Sequence, residues 1–407
     1  MTAFDLRKFE TGGRLRVGVI SDSQLTPYPH KRPTTFERNL LASFRTLKAY
    51  GCDMIVFAGD ICNRASKNGY KLFKRCLDAA FSGDKPIVQA IMGNHDYYFH
   101  PAPRRLFERE LGQKPLTHYI VNGVHFIGAS PDSPSMHRGY SETREFISER
   151  LAAVEAEGGR EPVFVVTHNA PRSTVYGSEA WGDDSLAGVF DEHPRVVSLS
   201  GHTHFSLLHP ESFWRGGFTA LGTQSVSYTE LEKGKVNGSV PPRAYAAPMG
   251  YILEFGEDEI SVLRVNMLTG TEQLSGDRIV IPRDGKPARR DDARRSAVPV
   301  FGEGEGRSEI TAEGTKVSFP RAEGAVAYEL AYPDGERQLY FSDFYLGDEA
   351  EGDRQSLIVY GRRRGECDIA VTAVGAGGER SESGILIKGV RVIRRRYRRK
   401  LAPEIWY

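Results

Sequence analysis

Apolar and polar positions follow two different periods over the first hundred residues of the chain. Three apolar runs rich in β-branched residues, at 14–22, 53–60 and 86–93, have the composition of buried strands. A capping-box sequence at 34–37 opens a stripe of apolar residues at helical spacing, and residues 70–81 show a second helical pattern. This alternation predicts βαβ units and a mainly parallel sheet.

The next part of the chain contains shorter elements. Alternating residues on both sides of Asn122-Gly123 predict a hairpin with a tight turn. We expect a helix at 142–157 and strands at 162–167, 195–200, 217–226, 251–255 and 260–265. Strand signals dominate after Gly201, which favours either one mixed sheet or a second sheet packed on the first.

Changes in composition divide the chain into four parts. Residues 1–276 carry the alternation of strands and helices and form the predicted first domain. Residues 277–297 are rich in charge, proline and glycine, which predicts a linker. Residues 298–395 show short alternating segments between turns, which predict a small β-sandwich. Residues 396–407 form a basic C-terminal tail.

Two features of the C-terminal part have alternative interpretations. One is a group of aromatic residues that are either core positions or an exposed contact strip: Tyr340, Phe341, Phe344 and Tyr345. The other is the basic run at 391–400, which is either a solvated end of the chain or a patch for anions, nucleic acid or a membrane surface.

The composition excludes several classes of protein. The 407 residues include 54 basic and 53 acidic ones, and the net charge of +1 disfavours a nucleic-acid partner. No apolar run approaches the ~18 residues of a membrane span, and the first residues lack the apolar core of a secretory leader. The four scattered cysteines exclude a disulfide scaffold and a CxxC zinc site. We therefore expect a cytoplasmic protein, and the sequence leaves its oligomeric state open.

Five short polar segments follow predicted strands. They are Asp22-Ser23-Gln24, residues 59–63, residues 93–96, Thr167-His168 and residues 201–204. Ligand sites in open α/β sheets collect at the carboxyl ends of strands, so these segments are expected to meet. Carboxylate and amide oxygens combined with imidazoles suit Mn, Fe, Zn or Co better than Mg or Ca. Each segment alone is a weak signal, and the joint order of all five predicts a metal site.

The order and spacing of these segments resemble the calcineurin-like metallophosphoesterase family over roughly residues 14–270. The family pattern D-x-H, G-D-x-x-[DN], G-N-H-[DE], H and G-H-x-H is matched by Asp22-x-Gln24, Gly59-Asp60-x-x-Asn63, Gly93-Asn94-His95-Asp96, His168 and Gly201-His202-x-His204. The resemblance implies an α/β fold, a four-layer α/β/β/α sandwich of two mixed sheets flanked by helices. The closing strands of the C-terminal all-β sandwich, at 360–383, resemble a fibronectin type III module.

The resemblance also implies a dinuclear metal centre. Asp60 would bridge the two ions, and His95 would face the scissile phosphate beside Asp96. The remaining ligands would divide into Asp22, Gln24 and His204 for the first ion and Asn94, His168 and His202 for the second. The expected ions are divalent or trivalent, with Mn or Fe favoured and Zn as the alternative.

Gln24 departs from the family pattern, in which a histidine is usual at this position. An amide oxygen is a neutral and weaker ligand than an imidazole, which disfavours Zn at the first position and favours Mn or Fe. The alternative is that Gln24 makes only a hydrogen bond behind the metal ligands.

The predicted function is hydrolysis of a phosphodiester or phosphomonoester of a nucleotide-like small molecule. A metal-bridging hydroxide would attack the phosphorus in line, and His95, held by Asp96, would give the leaving oxygen a proton or a positive charge. Asp96 could instead only orient the backbone turn. The alternatives are a nuclease of the same family, which the near-neutral charge disfavours, and a catalytically silent scaffold, which the presence of His95 disfavours.

Substrate contacts are expected from loops close to the metal motifs. Aromatic side chains there could stack on a base or sugar, and arginines could hold a second phosphate. The alternative for each residue is ordinary loop packing. The candidates are His30, Tyr97, Arg172, Tyr176 and Trp181.

Overall fold

The computed structural model describes residues 3–233, 235, 236, 239–286, 288, 297–350, 352–359 and 365–393. The chain divides into two compact units. The first consists of Met1–Leu231 and Arg243–Asp291, and the second of Glu232–Pro242 and Asp292–Tyr407. The predicted basic tail at 396–407 lies outside the described residues.

The first unit alternates strands and helices up to residue 200 and contains mainly strands after it. Its strands are β1 (Asp5–Phe9), β2 (Arg16–Ile20), β3 (Met54–Phe57), β4 (Ile87–Ala90), β5 (Leu116–Val121), β6 (Val124–Ala129), β7 (Val163–Thr167), β8 (Val196–Ser200), β9 (Phe213–Arg215), β10 (Thr219–Gly222), β11 (Met249–Phe255), β12 (Glu259–Asn266), β13 (Glu272–Gln273) and β14 (Ile279–Pro282). Its α-helices are α1 (Thr35–Ala49), α2 (Lys67–Ala80), α3 (Pro103–Leu111), α4 (Thr143–Ala156), α5 (Ser178–Trp181) and α6 (Leu186–Phe190).

Two mixed sheets form the centre of the first unit. The first sheet has the order β1-β5-β6-β7-β8-β10-β9, and the second has the order β13-β12-β11-β2-β3-β4, with β14 also paired to β12. Strands β2, β3 and β4 run parallel to one another, as do β6, β7, β8 and β10. The second of the two sequence alternatives, two packed sheets, is therefore correct.

Helices cover the outer face of each sheet. An apolar cluster with Phe44, Phe57 and Phe73 joins α1 and α2 to the second sheet, and a separate cluster joins α4 and α6 to the first sheet. Between the sheets, Phe164 of β7 packs 5.8 Å from Phe255 of β11, measured between ring centroids. The layers follow the expected order α/β/β/α.

Two local predictions are confirmed. The side chain of Thr34 accepts a hydrogen bond from the Glu37 N–H at 3.2 Å and caps α1. Strands β5 and β6 form a hairpin, in which Asn122 and Gly123 both have positive φ, the geometry of a type I′ turn.

Two strands of the first unit differ from the sequence interpretation. Ile279–Pro282 lies in the predicted linker but pairs with β12, because its alternating Ile-Val-Ile side chains extend the sheet. Asp5–Phe9, to which the sequence assigned no element, pairs in parallel with β5 at the edge of the first sheet. Its three charged residues and the exposed Leu6 fit a strand at the edge of a sheet.

The second unit contains antiparallel strands in its described part. They are β15 (Val300–Phe301), β16 (Arg307–Ile310), β17 (Thr315–Pro320), β18 (Ala322–Glu323), β19 (Ala327–Ala331), β20 (Arg337–Phe341), β21 (Arg354–Val359), β22 (Glu366–Val374) and β23 (Ile385–Arg391). A three-stranded sheet, β16-β17-β21, and a four-stranded sheet, β20-β19-β22-β23, enclose a core that includes Phe319, Tyr328 and Leu330. Tyr340, Phe341 and Tyr345 are buried, which excludes the exposed strip. The likeness to a fibronectin type III module stays a prediction.

The segment Glu232–Pro242 belongs to the second unit although it interrupts the first. Its Val236 N–H donates to the carbonyl of Leu339 at 2.8 Å, and the carbonyl of Pro242 accepts from the Tyr345 hydroxyl at 2.7 Å. Two separate segments of the chain therefore form the second unit, which the sequence did not indicate. In the described part of the chain, no helix is both long and apolar enough to cross a membrane.

Candidate metal centre

The five polar segments meet in the first unit. Strands β2, β3 and β4 are neighbours in one sheet and are followed by Asp22, Asp60 and Asn94. Strands β7 and β8 are neighbours in the other sheet and are followed by His168 and the segment 201–204. Asp22, Asp60 and His168 are buried, and each offers one ligand atom, with all three atoms within 4.8 Å of one another. The predicted convergence at the strand ends is present.

Asp60 lies in the middle of this group. Its Oδ2 is 3.4 Å from Nε2 of His168 and 2.9 Å from Nε2 of Gln24, two side chains from different sheets. Its Oδ1 accepts a hydrogen bond from the His95 main-chain N–H at 2.9 Å. This central position is the one that a carboxylate bridging two ions requires.

The other side chains lie on either side of Asp60. Nε2 of His204 is 3.1 Å from Oδ1 of Asp22, and Nε2 of His168 is 3.1 Å from Oδ1 of Asn94. The ring of His202 is 4.9 Å from the ring of His168, measured between centroids. The structure therefore brings together all seven residues that the sequence suggested as ligands.

The outer nitrogens of two histidines face main-chain carbonyls. Nδ1 of His168 is 2.8 Å from the carbonyl of Ala58, and Nδ1 of His204 is 3.1 Å from the carbonyl of Tyr228. A carbonyl only accepts, so each Nδ1 carries the proton, and Nε2 of the neutral ring has a free lone pair. Each Nε2 nevertheless faces a carboxylate oxygen, so a proton or a metal ion must lie between them.

The pKa values of these groups show how strongly the site favours positive charge. Burial opposes protonation of His168, but Asp60 and Asp22 outweigh it and raise its pKa to about 9. Burial likewise opposes ionisation of Asp22, yet the His204 and His168 imidazoles lower the pKa of its carboxyl group. For His202, burial and the nearby His168 charge lower the pKa to about 3, so this ring is a neutral base.

Several buried polar atoms of the cluster have no hydrogen-bond partner. They include Oε1 of Gln24, Nε2 of His202 and, apart from its ion-pair contact with His204, Oδ1 of Asp22. An unpaired buried polar atom is costly, and buried polar groups are normally satisfied. All three atoms are electron-pair donors in these protonation states, which is the chemistry of metal ligands.

Gln24 fits part of both sequence interpretations. Its Nε2 donates to Asp60, which is the hydrogen bond expected if Gln24 is not a ligand. Its Oε1 is buried and without a partner, which is what a ligand oxygen requires.

The backbone at the strand ends adopts a conformation that most residues avoid. Positive φ values occur at Asp22, Gln24, Asp60, His202 and His204. Residues with side chains pay a steric penalty there, and such conformations cluster at functional sites. The turns direct these side chains into the gap between the two sheets.

The glycines of the motifs make room for ligands of other motifs. A Cβ at Gly93 would lie 2.2 Å from Oδ1 of Asp60, and a Cβ at Gly201 would lie 2.5 Å from Oδ2 of Asp22. A Cβ at Gly59, where φ is +92°, would lie 2.5 Å from Nδ1 of His168. Only glycine therefore allows these turns to approach the neighbouring ligands so closely.

His95 is the partly exposed member of the group. Its Nδ1 is 3.0 Å from the carbonyl of Asn63, which leaves Nε2 toward the cluster, 4.0 Å from Oδ2 of Asp60. Its side chain is 32% exposed, whereas those of Asp22, Asp60 and His168 are at most 2% exposed. His95 is thus placed where a substrate could reach it.

Asp96 does not hold His95, contrary to one sequence interpretation. Its two oxygens accept hydrogen bonds from the main-chain N–H groups of Ile61, Cys62 and Gly93 and from the Tyr70 hydroxyl. Asp96 is fully buried, so it fixes the backbone between β3 and β4. These contacts favour the alternative in which Asp96 orients the turn, and its catalytic role stays a prediction.

The substrate-contact candidates separate into two groups. Trp181 lies next to the cluster, with its ring 6.0 Å from that of His202. Tyr176 is buried and stacks on His209, with 3.7 Å between the ring centroids, which fits the alternative of loop packing. The other three have local partners: the Tyr97 hydroxyl donates to the Pro131 carbonyl, Arg172 pairs with Asp184 and Glu179, and His30 contacts Thr26.

One supporting residue was missed by sequence reasoning. The hydroxyl of Tyr140 is buried and accepts a hydrogen bond from the His168 main-chain N–H at 2.7 Å. Tyr140 is 28 residues from His168 and lies in a loop with no strand or helix pattern. No local signal marks such a partner.

These features define an α/β domain of two packed sheets with a candidate metal centre at the strand ends. A sequence model of the family described as calcineurin-like phosphoesterase matches residues 15–206, a stretch that contains every motif segment. The match confirms the resemblance over residues 15–206, and the first unit has the α/β fold with two mixed sheets that the resemblance implied.

Solved structures with similar folds include three proteins. A dimetal phosphatase from Danio rerio is 13% identical, covers 68% of this chain and 98% of its own, and has a TM-score of 0.44. The purple acid phosphatase PPD1 from yellow lupin (Lupinus luteus) seeds is 14% identical, with coverages of 67% and 55% and a TM-score of 0.47. GAP50, the anchor in the inner membrane complex of Plasmodium, is 13% identical, with coverages of 67% and 89% and a TM-score of 0.42. No curated protein matches the sequence significantly.

Proposed function

We propose that the first unit is a dinuclear metal-dependent hydrolase of a phosphodiester or phosphomonoester of a nucleotide-like small molecule. The observation that carries this proposal is the orientation of His168 and His204. Each directs its Nε2 toward a buried carboxylate oxygen, so that a bound cation could replace the proton between the two atoms. Manganese or iron is the proposed metal, with zinc as the alternative.

The ligands divide into two sets on the two sides of Asp60. The contact of His204 with Asp22, and of Gln24 with Asp60, supports a first set of Asp22, Gln24 and His204. The contact of His168 with Asn94, and the neighbouring ring of His202, support a second set of Asn94, His168 and His202. Asp60 would belong to both sets, because one carboxylate between two cations reduces their repulsion.

Bound metal ions would neutralise the phosphate oxygens and lower the pKa of a water molecule. The chain itself would contribute His95 at the open side of the cluster. The Asn63 carbonyl fixes the ring so that Nε2 points toward the cluster. From there His95 would give the leaving oxygen a proton or a positive charge, a contribution of typically 10²–10⁴ in rate.

Two further assignments remain part of the proposal. A small phosphate ester is the proposed partner, because the net charge of +1 gives no general attraction for nucleic acid. The cytoplasmic location is proposed on the four cysteines, all of which are free thiols.

The proposed function is tested by metal binding and hydrolysis on the same samples. Metal-stripped protein is refilled with Mn, Fe, Zn, Co or Mg, the bound metal is counted, and bis-p-nitrophenyl phosphate and p-nitrophenyl phosphate are compared. We expect Asp60→Asn to lose both metal and turnover. His95→Ala should keep the metal and lose about 10²–10⁴ in kcat.

His193→Gln is the matched control, since His193 pairs with Glu155 at 2.7 Å and belongs to none of the motif segments. It should retain metal and turnover. Failure of the wild-type protein to bind any of these metals would contradict the proposal. Metal-dependent turnover that survives Asp60→Asn would contradict the assignment of Asp60.

A further inference from the structure

Phe99 is an unusual residue close to the metal centre. It is 81% exposed, the largest exposure among the large apolar side chains in the described part of the chain. Its φ of +64° lies in the left-handed region, where bulky side chains rarely occur. An exposed phenyl ring on a strained backbone lowers the stability of the fold at this position. Backbone strain of this kind clusters at functional sites and points to a function for Phe99.

Arg64 covers this ring. The guanidinium carbon of Arg64 lies 4.5 Å from the centroid of the Phe99 ring, a cation–π contact. Arg64 follows Asn63, whose carbonyl holds His95. Among the residues that the structure describes, no carboxylate forms an ion pair with Arg64, so its charge is available for an anion.

Tyr98 connects this pair to the reacting side of the cluster. Its ring centroid is 4.9 Å from that of His95 and 6.3 Å from that of Phe99. The series His95, Tyr98, Phe99 and Arg64 therefore extends outward from the group proposed to face the leaving oxygen. The alcohol part of a substrate would leave the centre along the same side.

We propose that Phe99 and Arg64 form a leaving-group subsite. It would accept esters whose alcohol carries an aromatic ring and a second anionic group. The ring would stack on Phe99, and the anion would pair with the Arg64 guanidinium. This inference rests on the proposed function and narrows its substrate class to the ring-plus-anion chemistry of a nucleotide.

The contribution of the ring is tested with matched pairs of esters. Benzyl phosphate is compared with ethyl phosphate, and benzyl methyl phosphate with ethyl methyl phosphate, on manganese-loaded full-length protein. Phe99→Gly should lower the ratio of kcat/KM for the benzyl ester over the ethyl ester about tenfold. Leu6→Ala is the control, because it also removes an exposed apolar side chain but lies on β1. It should leave the ratio unchanged.

The strain adds a readout that is independent of activity. Glycine has no steric penalty at a positive φ, and the relief of strain should outweigh its larger loss of backbone entropy on folding. Phe99→Gly should therefore raise the melting temperature of the metal-free protein while it lowers selectivity. An unchanged benzyl-to-ethyl ratio overturns the subsite and leaves the proposed function intact. A metal-loaded wild type that hydrolyses none of the four esters overturns the proposed function and the subsite with it.

The anion contact is tested with a charged analogue. 4-Carboxybenzyl phosphate, or its methyl diester, carries the ring and a second negative charge. Arg64→Gln should lower the ratio of kcat/KM for the carboxybenzyl ester over the benzyl ester about tenfold, and high salt should lower that ratio in the wild type. Equal losses for both esters would overturn the role of Arg64 as the anion contact.

Discussion

Three histidines of the metal centre are held in the same way. Each has its Nδ1 bound to a main-chain carbonyl: Ala58 for His168, Tyr228 for His204 and Asn63 for His95. The carbonyl fixes both the tautomer and the direction of the ring, and therefore the direction of the reactive Nε2. At the residue scale, main-chain carbonyls thus set the orientation of the histidine side chains that the motifs supply.

Tyr98 is a positioning residue at this scale. Its hydroxyl accepts a hydrogen bond from Nδ2 of Asn94 at 2.9 Å, which turns Oδ1 of Asn94 toward His168. Tyr98→Phe should weaken metal binding or kcat about 10–100-fold, the usual effect of losing a partner of a ligand. Tyr97→Phe is the control, because the Tyr97 hydroxyl bonds the Pro131 carbonyl instead. Isothermal titration with Mn²⁺ measures the difference, and equal affinities would contradict this role.

The sequence predicted the residues of the site better than their roles. The Asp, Asn and His residues after the strands could be identified because all five segments occur in one order; each segment alone is a weak signal. The sequence could not show that Asp96 bonds three main-chain N–H groups, since those partners lie up to 35 residues away. The stacking of Tyr176 on His209 was hidden from the sequence for the same reason, because it depends on folding.

At the element scale, the site depends on how closely the turns after β3, β4 and β8 approach one another. Gly59, Gly93 and Gly201 each stand beside a ligand that belongs to a different turn. The close approach couples the two sheets, so a change in one turn displaces a ligand in another.

Gly93→Ala tests this dependence. The added Cβ would lie 2.2 Å from Oδ1 and 2.5 Å from the main-chain nitrogen of Asp60, so Asp60 must move. We expect at least a tenfold loss of Mn²⁺ affinity. Gly188→Ala in α6 is the control, because an added Cβ meets nothing within 4 Å there. Unchanged affinity in Gly93→Ala would show that the turn can adapt.

The β5–β6 hairpin carries two buried histidines. Nε2 of His118 is 2.9 Å from Nδ1 of His125, and burial together with the His125 charge lowers the pKa of His118 to about 4. His118 is therefore protonated only at a lower pH in the folded protein than in the unfolded chain, where the pKa of histidine is about 6.5. Stability from this neutral ring is present above pH 6.5 and is lost as the pH falls toward 4.

His118→Gln should reduce that acid sensitivity. The variant lacks a titrating group at this position, so the fall in unfolding free energy between pH 7 and 4.5 should shrink by up to about 3 kcal/mol. Urea unfolding at several pH values measures this change. The same slope in wild type and variant, with His193→Gln as reference, would contradict the assignment.

At the scale of the whole molecule, each unit has its own apolar core. The sandwich core around Tyr328 and Leu330 contains residues of the second unit alone. From alternating short segments, the sequence predicted a separate β-sandwich at 298–395. It could not predict that β14 extends the first unit or that Glu232–Pro242 joins the second, because both depend on pairing partners far along the chain.

Leu330→Ala tests the separateness of the second core. Leu330 is fully buried, and a cavity at such a position costs about 2–5 kcal/mol. Hydrogen exchange should become faster in β17, β19 and β22 and stay unchanged in β2, β3 and β7. Equal acceleration in all of these strands would mean that the two cores unfold together.

Because Glu232–Pro242 belongs to the second unit, the chain cannot be truncated or recombined between the two units without loss of a segment from one of them. β11 lies between β2 and β12, so a fragment that stops at Leu231 leaves β2 as an open sheet edge available for aggregation. During synthesis, residues 232–242 of the second unit leave the ribosome before the last strands of the first, at 249–282. The two units are therefore completed in an interleaved order, and recombination at any single point would break one of them.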